Sequence, residues 1–237
     1  MNNASYIVLS RQSGLSKELT SIANNIANID TVGYRRDGQF YSEYIRRSEN
    51  GDRSISQTDS GGRFLDSTAG APVNTGAAFD IAIDGEGYFA IETARGIRLT
   101  RAGSFTPDAN GRLATPDGDT VLDSASTAIT IPPDATDVMI SIDGVISAGG
   151  NAIAQLGLFT APPDSLIRDG GVLLRTEEDI APVQDPQMRQ GFLEDSNVNP
   201  VIELARLIEV QRAFELNQQL LQDENERIRS TIDNLHR

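Results

Sequence analysis

The 237-residue sequence contains no cysteine and no tryptophan, and its single histidine is His236. Without cysteine the chain can form no disulfide, no thiolate nucleophile and no cysteine-based zinc or iron–sulfur site. One histidine, next to last in the chain, is too few for a multi-histidine metal site and poorly placed for a Ser-His-Asp triad. We therefore expect no enzyme of these kinds, no bound metal and no cofactor.

Positive charge is also scarce, because 20 basic residues stand against 34 acidic ones for a net charge of −14. Binding along nucleic acid requires clustered positive charge, so we expect no nucleic-acid partner. The imbalance is uneven: residues 1–47 carry a net charge of +2, residues 48–190 of −12 and residues 191–237 of −4. The acidic middle and the less charged ends are therefore expected to have different roles.

Long apolar runs are absent as well. No stretch of about 18 apolar residues is available to span a bilayer, so we expect no membrane insertion. The opening residues 1–12 mix apolar side chains with asparagine, serine, arginine and glutamine, unlike a secretory signal peptide. We expect the protein either to remain in the cytoplasm or to leave it by a route that cleaves no signal peptide.

The N-terminal segment has the spacing of a helix with a narrow apolar seam. Its apolar residues recur at intervals of four and three, the heptad pattern of helices packed along a line. The positions are Leu15, Leu19, Ile22, Ile26 and Ile29. Serine, asparagine and glycine fill many of the remaining positions and disfavour an isolated helix. This helix is therefore expected to need a packing partner.

The C-terminal segment is the natural partner. Asn199 suits an N-cap, Pro200 suits the first helical position, and neither glycine nor proline follows before Leu235. A heptad seam runs along this segment through Leu207, Phe214, Leu221 and Ile228, with Gln211 on its companion line. We predict that the terminal helices form a coiled coil. The alternative is an ordinary amphipathic helix on its own domain's core, which the length of the C-terminal helix disfavours.

The middle of the chain has the signature of a β domain. Short alternating apolar runs, such as Phe79 to Ile83 and Val138 to Ile142, are separated by turn dipeptides. Asp-Gly occurs at 84–85, 117–118, 143–144 and 169–170, and Asn-Gly occurs at 110–111. These dipeptides favour tight hairpin turns because both residues tolerate a positive φ.

These observations predict an α+β fold in which an all-β middle domain is inserted between two terminal helices. The expected boundaries are a helical segment at 1–47, an extended linker at 48–69, a β-rich domain at 70–190 and a second helical segment at 191–237. The linker assignment follows from the many serine, glycine, aspartate and threonine residues there.

Two stretches imitate binding motifs without their structural context. Gly85-x-Gly87 resembles part of a dinucleotide fingerprint, but the residues after it read as a strand rather than the required helix. Residues 106–117 resemble a calcium loop, but Thr106 and Asp117 replace the expected first and last ligands. We interpret both stretches as turns or hairpin loops.

Several separated motifs resemble, in order, the bacterial flagellar rod and hook protein family. The N-terminal match spans residues 23–34, the central matches span 79–89 and 100–105, and the C-terminal matches span 191–200 and 208–215. The motif residues are Asn24, Asn25, Ala27, Asn28, Gly33, Gly191, Glu194, Ser196, Asn197, Gln211, Arg212 and Glu215.

The resemblance implies a structural subunit of the basal-body rod that catalyses nothing. Such proteins leave the cytoplasm through the flagellar type III export apparatus and assemble in the periplasm with other rod proteins, transmitting torque. Their terminal helices form the inner tube, and the seam residues would carry this packing. The chain is most similar to members that build the proximal rod, and distal rod members are the alternative.

A possible export signal follows the first helix. The apolar pair formed by Phe40 with Tyr44 or Ile45 resembles the short signals that the export gate reads in early flagellar substrates. The alternative is that these residues pack the linker onto the β domain. A different class of function, a carbohydrate-binding or glycan-cleaving β module, is disfavoured by the absent tryptophan and the 5% aromatic content.

Overall fold

A computed structural model describes the backbone of residues 3–46 and 55–235, and the side chains of residues 8–40, 62–227 and 229–230. An N-terminal helix, a mostly-β middle and a C-terminal helix follow one another, which confirms the predicted α+β class. The chain divides into two compact units. The helical unit comprises Met1–Ala27, Asp37–Phe64 and Asn199–Arg237, and the β unit comprises Asn28–Arg36 and Leu65–Val198.

Two long helices dominate the helical unit. Helix α1 spans Asn3–Ala27 and helix α2 spans Pro200–Leu235. The predicted cap of α2 is present, because the side-chain oxygen of Asn199 accepts hydrogen bonds from the backbone N–H groups of Val201 (3.0 Å) and Ile202 (3.2 Å). The helices run antiparallel, since α1 meets the start of α2 near its own end and the middle of α2 near its own start. Neither helix, within the described residues, is long and apolar enough to cross a membrane.

A two-stranded ribbon completes the helical unit. Strand β1 spans Asp37–Arg46 and strand β2 spans Ile55–Leu65, so β2 lies within residues 48–69, for which the sequence predicts an extended linker. Aromatic rings cover glycines across the ribbon. A Cβ added to Gly62 would lie 2.8 Å from the ring of Phe40, and one added to Gly38 would lie 2.2 Å from the ring of Phe64. Each ring therefore occupies the space that its partner glycine leaves.

The β unit contains sixteen short strands among its described residues and one 3-10 turn, Pro163–Ser165. The strands are β3 Pro72–Asn74, β4 Ile81–Ile83, β5 Tyr88–Thr93, β6 Gly96–Thr100, β7 Thr106–Pro107, β8 Leu113–Ala114, β9 Thr120–Val121, β10 Met139–Ile140, β11 Val145–Ala148, β12 Asn151–Gln155, β13 Leu158–Thr160, β14 Ile167–Arg168, β15 Leu174–Arg175, β16 Ala181–Pro182, β17 Met188–Gln190 and β18 Phe192–Glu194.

The largest sheet of the β unit is antiparallel and has the order β14-β15-β6-β5-β9-β8-β7, with β13 and β16 joined through β5. A smaller sheet has the order β10-β11-β12, and β17 pairs with β4 and β18 with β3. Strand β5 pairs with β6 in the register Ala90 to Leu99, and its first four residues are all buried. Continuous burial on both faces is what a strand in the middle of a core requires.

Four of the five Asp-Gly and Asn-Gly pairs lie between strands that pair with each other. They are 110–111 between β7 and β8, 117–118 between β8 and β9, 143–144 between β10 and β11, and 169–170 between β14 and β15. The glycine of each pair has a positive φ, between +77° and +107°. The hairpin predictions at these positions are confirmed. The fifth pair, 84–85, joins β4 to β5, which do not pair.

Two apolar clusters fill the β unit, and the two faces of β5 contribute to different ones. Phe89 belongs to the larger cluster, where its ring meets that of Phe105 edge to face at 5.1 Å between centroids. Tyr88 and Ala90, which point the other way, belong to the second cluster with Leu99. The period of two along a strand thus divides the core between two layers.

Candidate assembly site: the helix pair and the Glu194 cluster

Polar side chains make several of the buried contacts between the two helices of the helical unit. Arg206 of α2 forms an ion pair with Glu18 of α1, with its Nη2 2.9 Å from Oε1. Further along, the side-chain amide of Asn217 donates a hydrogen bond to the backbone carbonyl of Val8 at 3.0 Å. Glu18 and Asn217 are both buried. These contacts depend on matched partners, so they favour one alignment of the two helices.

Asn25 connects three elements of the helical unit. Its Nδ2 donates to the backbone carbonyl of Asp37 in β1 at 2.9 Å and to Glu203 Oε2 in α2 at 3.2 Å. Its Oδ1 accepts from the backbone N–H of Asp37 at 2.9 Å. Glu203 is 0% exposed and depends on such donors, because a buried carboxylate without hydrogen bonds is very costly. Ser21 adds a hydrogen bond to the same carbonyl of Asp37 at 3.1 Å.

The most buried positions of both helices precede the predicted seam by one residue. In α1 they include Gly14, Glu18, Ser21 and Asn25, each one residue before the seam positions 15, 19, 22 and 26. In α2 they are Glu203, Val210 and Asn217, and Val210 comes one residue before Gln211 of the companion line. The physical reason is that hydrogen bonds and an ion pair hold this contact, and a count of apolar residues does not detect them. Ile22 alone belongs to both sets.

The predicted seam residues border that contact. Leu15, Leu19, Ile26, Leu207, Phe214 and Leu221 are half-buried, and Gln211 is exposed. Ile29 is half-buried as well, but it follows the end of α1 at Ala27 and belongs to the segment Asn28–Arg36 of the β unit. The side chain of Ile228 lies outside the described residues. The apolar seam is therefore partly available to other surfaces, and its role in assembly stays a prediction.

Helix α2 also exposes large apolar side chains away from α1. Ile202, Leu216 and Leu220 are between 53% and 66% exposed, and their spacing of 14 and 4 residues keeps them on one side of the helix. A second exposed set, Val201, Leu204 and Ile208, follows a spacing of three and four on another side. An apolar face of this length on a surface helix is typical of a protein interaction site.

A buried ion cluster centred on Glu194 organises the β unit. Its carboxylate lies 2.8 Å from Arg35 Nη2 and 3.2 Å from Arg101 Nη1, and it accepts the N–H of Gly70 at 3.1 Å. The three charged side chains are only 3–5% exposed. The cluster carries two cations and one anion. It joins the segment after α1, the end of β6 and strand β18, which are far apart in sequence.

The two arginines of this cluster have further partners. Arg101 donates to the carbonyl of Gly85 at 2.6 Å and lies over the ring of Tyr88, 5.3 Å from its centroid. Burial lowers the pKa of Arg101 and nearby Arg35 lowers it further, while Glu194 opposes both effects. Arg35 donates to the carbonyl of Thr68. These partners compensate part of the cost of burying charge.

Neighbouring motif residues secure the same region. Arg168 stacks on the buried ring of Tyr34 at 4.2 Å and donates to the carbonyl of Arg35. The side-chain amide of Asn197 donates to the carbonyls of Asp66 (3.1 Å) and Thr68 (2.8 Å), and its oxygen accepts the N–H of Arg36 at 2.6 Å. The motif amide therefore acts inside the chain, as a clamp on backbone segments.

Two motif glycines adopt backbone conformations that other residues rarely adopt. Gly33 has φ +68°, donates to the carbonyl of Glu194 at 2.7 Å, and would place a Cβ 2.2 Å from the backbone nitrogen of Ala102. Gly191 has φ +76° and donates to the carbonyl of Asp80 at 2.7 Å. Asn28, before Gly33, accepts a hydrogen bond from Thr31 at 3.1 Å, which closes the turn after α1.

The remaining motif residues are less enclosed. Gln211, Arg212 and Glu215 are exposed along α2. Asn24 and Ala27 are exposed on α1, and the hydroxyl of Ser196 accepts the N–H of Val198 at 3.3 Å. The motif thus contains residues that hold one chain together and residues that face outward.

The predicted export signal lies at the edge of the described side chains. Phe40 is half exposed on β1 and covers Gly62. The side chains of Tyr44 and Ile45 lie outside the described residues, although both positions belong to β1. The role of these three residues as an export signal therefore stays a prediction.

The two imitated binding motifs have structural explanations. Residues after Gly87 form strand β5, so no helix follows to receive a pyrophosphate. The Asp108 carboxylate accepts hydrogen bonds from the N–H groups of Asn110 and Arg112, each 2.8 Å, and pairs with the Arg112 guanidinium in a hairpin loop. Both interpretations as turns are confirmed. Within the described part of the chain, His, Asp and Glu side chains form no group suited to a metal ion.

Three family models match the chain in the order of its elements. Residues 6–35 match the model described as flagella basal body rod protein. Residues 82–148 match the flagellar hook protein FlgE/F/G D1 domain, and residues 189–234 match the flagellar basal body rod FlgEFG protein C-terminal region. The matches cover both helices and much of the β unit.

Whole-length similarity extends to curated proteins. The chain is 38% identical to the flagellar basal-body rod protein FlgF of Caulobacter vibrioides, covering 99% of this chain and 98% of that protein. It is 37% identical to FlgF of Mesorhizobium japonicum over 91% and 90% of the two chains. It is 31% identical to the flagellar basal-body rod protein FlgG of Bacillus subtilis over 96% and 97%.

Similarity of this extent agrees with the order of elements and with the contacts made inside the chain by the motif residues Asn25, Gly33, Glu194 and Asn197. The chain therefore belongs to the bacterial flagellar basal-body rod and hook protein family, and it is a structural subunit of the rod rather than an enzyme.

Proposed function

We propose that this chain is a subunit of the proximal part of the flagellar rod. It leaves the cytoplasm through the flagellar type III export apparatus without losing a signal peptide, and it assembles in the periplasm with copies of itself and with distal rod subunits. Residues 1–47 and 191–237 form the axial helical domain and pack as coiled coils with neighbouring subunits. Residues 48–69 link them to the middle domain at 70–190. The assembled subunits transmit torque.

The exposed apolar face of α2 carries this proposal. Ile202, Leu216 and Leu220 face solvent in the single chain, and the seam residues beside the α1 contact are only half-buried. Full burial of each such side chain contributes roughly 1.5–3 kcal/mol. Neighbouring helices in a rod would cover these side chains, so assembly supplies stability that the single chain lacks.

Helix composition supports ordering on assembly. Helix α1 is rich in serine and asparagine, and its contact with α2 is largely polar, so little apolar area stabilises the helix pair alone. Circular dichroism of the dilute full-length chain tests this step. We expect less helix than the 25 and 36 residues of α1 and α2 would give, and an increase on assembly. Fully formed helices in the dilute monomer would contradict ordering on assembly.

A proximal position is supported by the comparisons, because the FlgF proteins of Mesorhizobium japonicum and Caulobacter vibrioides are 37% and 38% identical to the chain, against 31% for FlgG of Bacillus subtilis. The competing position is the distal rod. Deletion of the gene, followed by electron microscopy of basal bodies, separates the two. We expect non-motile cells whose rods lack hooks and stop short of the distal rod. Complete rods in the deletion strain would contradict the proposal.

A variant of the exposed apolar face of α2 tests the packing itself. Leu216→Ser with Leu220→Ser removes two apolar side chains from the exposed face of α2, and Gln218→Ser with Gln219→Ser is the matched change at exposed polar positions. We expect the first pair to abolish complementation of the deletion strain and the second pair to restore motility. Equal complementation by both would show that this face is not buried in the rod.

The proposed export route includes the hypothesis that Phe40, Tyr44 and Ile45 form the export signal. Phe40→Ala with Tyr44→Ala tests it in cells that secrete rod substrates. We expect a marked fall in secreted chain at unchanged cellular levels, compared with the neighbouring variant Ser42→Ala. Normal secretion of the double variant would contradict the signal hypothesis and favour a packing role for these residues.

A further inference from the structure

An apolar cavity in the β unit has no role in the contacts described so far. It has a volume of about 300 Å³, and its lining is mostly apolar. Its lining includes Val32, from the loop after α1, Ile91 of β5, and Val172. The cavity is therefore large enough for a branched aliphatic side chain.

Two carboxylates stand beside this cavity. Asp117 and Asp119 lie in the loop between β8 and β9, which is held by backbone hydrogen bonds between Thr115 and Asp119 and between Gly118 and Thr115. Within the described residues, neither carboxylate accepts a hydrogen bond or an ion pair. The site thus combines an apolar hole with unpaired negative charge, which fits an apolar side chain followed closely by a cation.

Helix α2 presents that combination on one of its exposed sides. Leu204 and Ile208 are 50% and 51% exposed, and Arg212 follows Ile208 by one turn. Residues four apart on a helix are neighbours, with about 5–6 Å between their Cβ atoms. Arg212 forms no ion pair among the described residues, so its guanidinium is available to a carboxylate outside the helical unit.

We infer that Ile208 of one copy inserts into this cavity of a second copy, where Arg212 pairs with Asp117 and Asp119. The inference rests on the proposed assembly into a rod and identifies one contact within it. Apolar burial would stabilise the contact, and the unpaired charges would set its orientation. The strongly acidic middle of the chain, with a net charge of −12 over residues 48–190, also favours an approaching cation.

The symmetry of the contact suits a filament. The inserted side chain Ile208, which we call the knob, and the cavity are on different surfaces of the same chain. Each copy can therefore insert its knob into one neighbour and accept the knob of another. Such a heterologous contact continues from copy to copy and generates an open helical assembly unless it closes into a ring. The same two surfaces on every subunit can therefore build a rod.

Cysteine cross-linking tests the pairing directly, because the natural chain contains no cysteine. The full-length variant Ile208→Cys with Thr115→Cys places one thiol on the knob and one beside the cavity. A disulfide requires Cα atoms within about 7 Å. In oxidised basal bodies we expect a ladder of linked subunits, with the 115–208 linkage identified by mass spectrometry. The matched control is Ile202→Cys with Thr115→Cys, at an exposed position six residues earlier that points about 120° away around the helix axis.

The outcomes separate this contact from rod assembly itself. If the variant is present in basal bodies but forms no more dimer than the control, the contact is wrong and the rod function stands. If it links only within single chains, the second copy is wrong as the occupant. If the unmodified chain is absent from basal bodies, the proposed function fails and this inference fails with it.

Charge exchange provides a second measurement that does not require cysteines. We expect Arg212→Glu to reduce the number of completed rods at least fivefold, whereas Arg229→Glu, an exposed arginine further along α2, has less than a twofold effect. Adding Asp117→Arg and Asp119→Arg to Arg212→Glu is expected to restore rods to within twofold. No restoration, with normal circular dichroism of the variant, would overturn the pairing.

Discussion

Asn25 and Asp37 are joined by a pair of hydrogen bonds in which the asparagine side chain imitates a neighbouring strand. Its Nδ2 donates to the Asp37 carbonyl and its Oδ1 accepts the Asp37 N–H, both at 2.9 Å. Because the same Nδ2 also reaches Glu203, one amide fixes the helix α1, the first residue of β1 and the start of α2. Only an amide offers both a donor and an acceptor at this spacing.

Asn25→Asp is expected to disrupt the helical unit. The change removes the donor to Asp37 and Glu203 and adds a carboxylate beside a buried one, which costs about 1–3 kcal/mol or more. We expect the amount of subunit in isolated basal bodies to fall by roughly tenfold. Asn24→Asp, at the exposed neighbouring position, provides the control and should incorporate normally. Normal incorporation of Asn25→Asp would show that this amide does not fix the three elements.

The Glu194 cluster predicts unequal effects of removing its members. Glu194→Gln leaves two buried arginines without a counter-charge and is expected to destabilise the β unit by about 3–5 kcal/mol. Arg101→Met leaves a neutral Arg35–Glu194 pair and fills similar space, so the loss should be clearly smaller. Urea unfolding of the full-length variants, followed by the strand signal in circular dichroism, measures both. Equal losses, or a greater loss for Arg101→Met, would contradict the charge balance assigned to the cluster.

Gly33→Ala is expected to be far more damaging than the same change at Gly118. Both glycines have a positive φ, of +68° and +88°, but an added Cβ meets the Ala102 backbone only at Gly33. Gly118→Ala should cost about 1–2 kcal/mol from backbone strain alone. Gly33→Ala should cost several kcal/mol more, or prevent folding of the β unit, as judged by urea unfolding and protease resistance. Similar stability of the two variants would mean that Gly33 is required only for its positive φ and not for its close approach to the Ala102 backbone.

Asp108 predicts part of the acid sensitivity of the β unit. The backbone hydrogen bond from Arg112 is the largest cause that lowers the pKa of Asp108. Desolvation opposes it, and the hydrogen bonds from the Arg112 side chain and the Asn110 N–H lower the pKa further. A carboxyl group whose pKa is lower in the folded chain than in the unfolded chain stabilises the fold at any pH above its unfolded pKa. This stabilisation is lost as the pH falls through the pKa of the group in the folded chain. The difference in urea midpoint between the natural chain and Asp108→Asn should therefore shrink between about pH 5 and pH 2.

Asp179→Asn is the control for this titration, because Asp179 is an exposed loop carboxylate with no hydrogen bond among the described residues. Its difference from the natural chain should vary less over the same pH range. A constant difference for Asp108→Asn would mean that its hydrogen bonds do not favour the charged carboxylate.

Local sequence signals were enough to predict helix α2 and four hairpin turns, whereas strands β1 and β2 lie in residues that the sequence assigned to a helical segment and a linker. The cap at Asn199, the proline after it and the uninterrupted run to Leu235 predicted α2 at its observed bounds. The Asn-Gly and Asp-Gly pairs predicted four hairpin turns, because a turn with positive φ depends on the residues within it. Both kinds of signal act over a few residues and are readable without knowing the fold.

Contacts between distant residues were not predictable in this way. Arg35, Arg101 and Glu194 meet only after three separate segments have folded together, and nothing near any one of them indicates its partners. The buried positions of α1 lie one residue before the predicted seam for a related reason. Apolar periodicity ranked Leu19 and Ile26 above Glu18 and Asn25, although the polar pair makes the buried contacts. Glu194 and Asn25 were identified only through the family motif.

The central claim is that this chain is a structural subunit of the rod. Immunogold electron microscopy of isolated basal bodies, with an epitope-tagged full-length chain that restores motility to a deletion strain, tests it most directly. We expect label on the rod, between the membrane ring and the distal rod. Basal bodies that carry no label, while the tagged protein is found in another cell fraction, would contradict it.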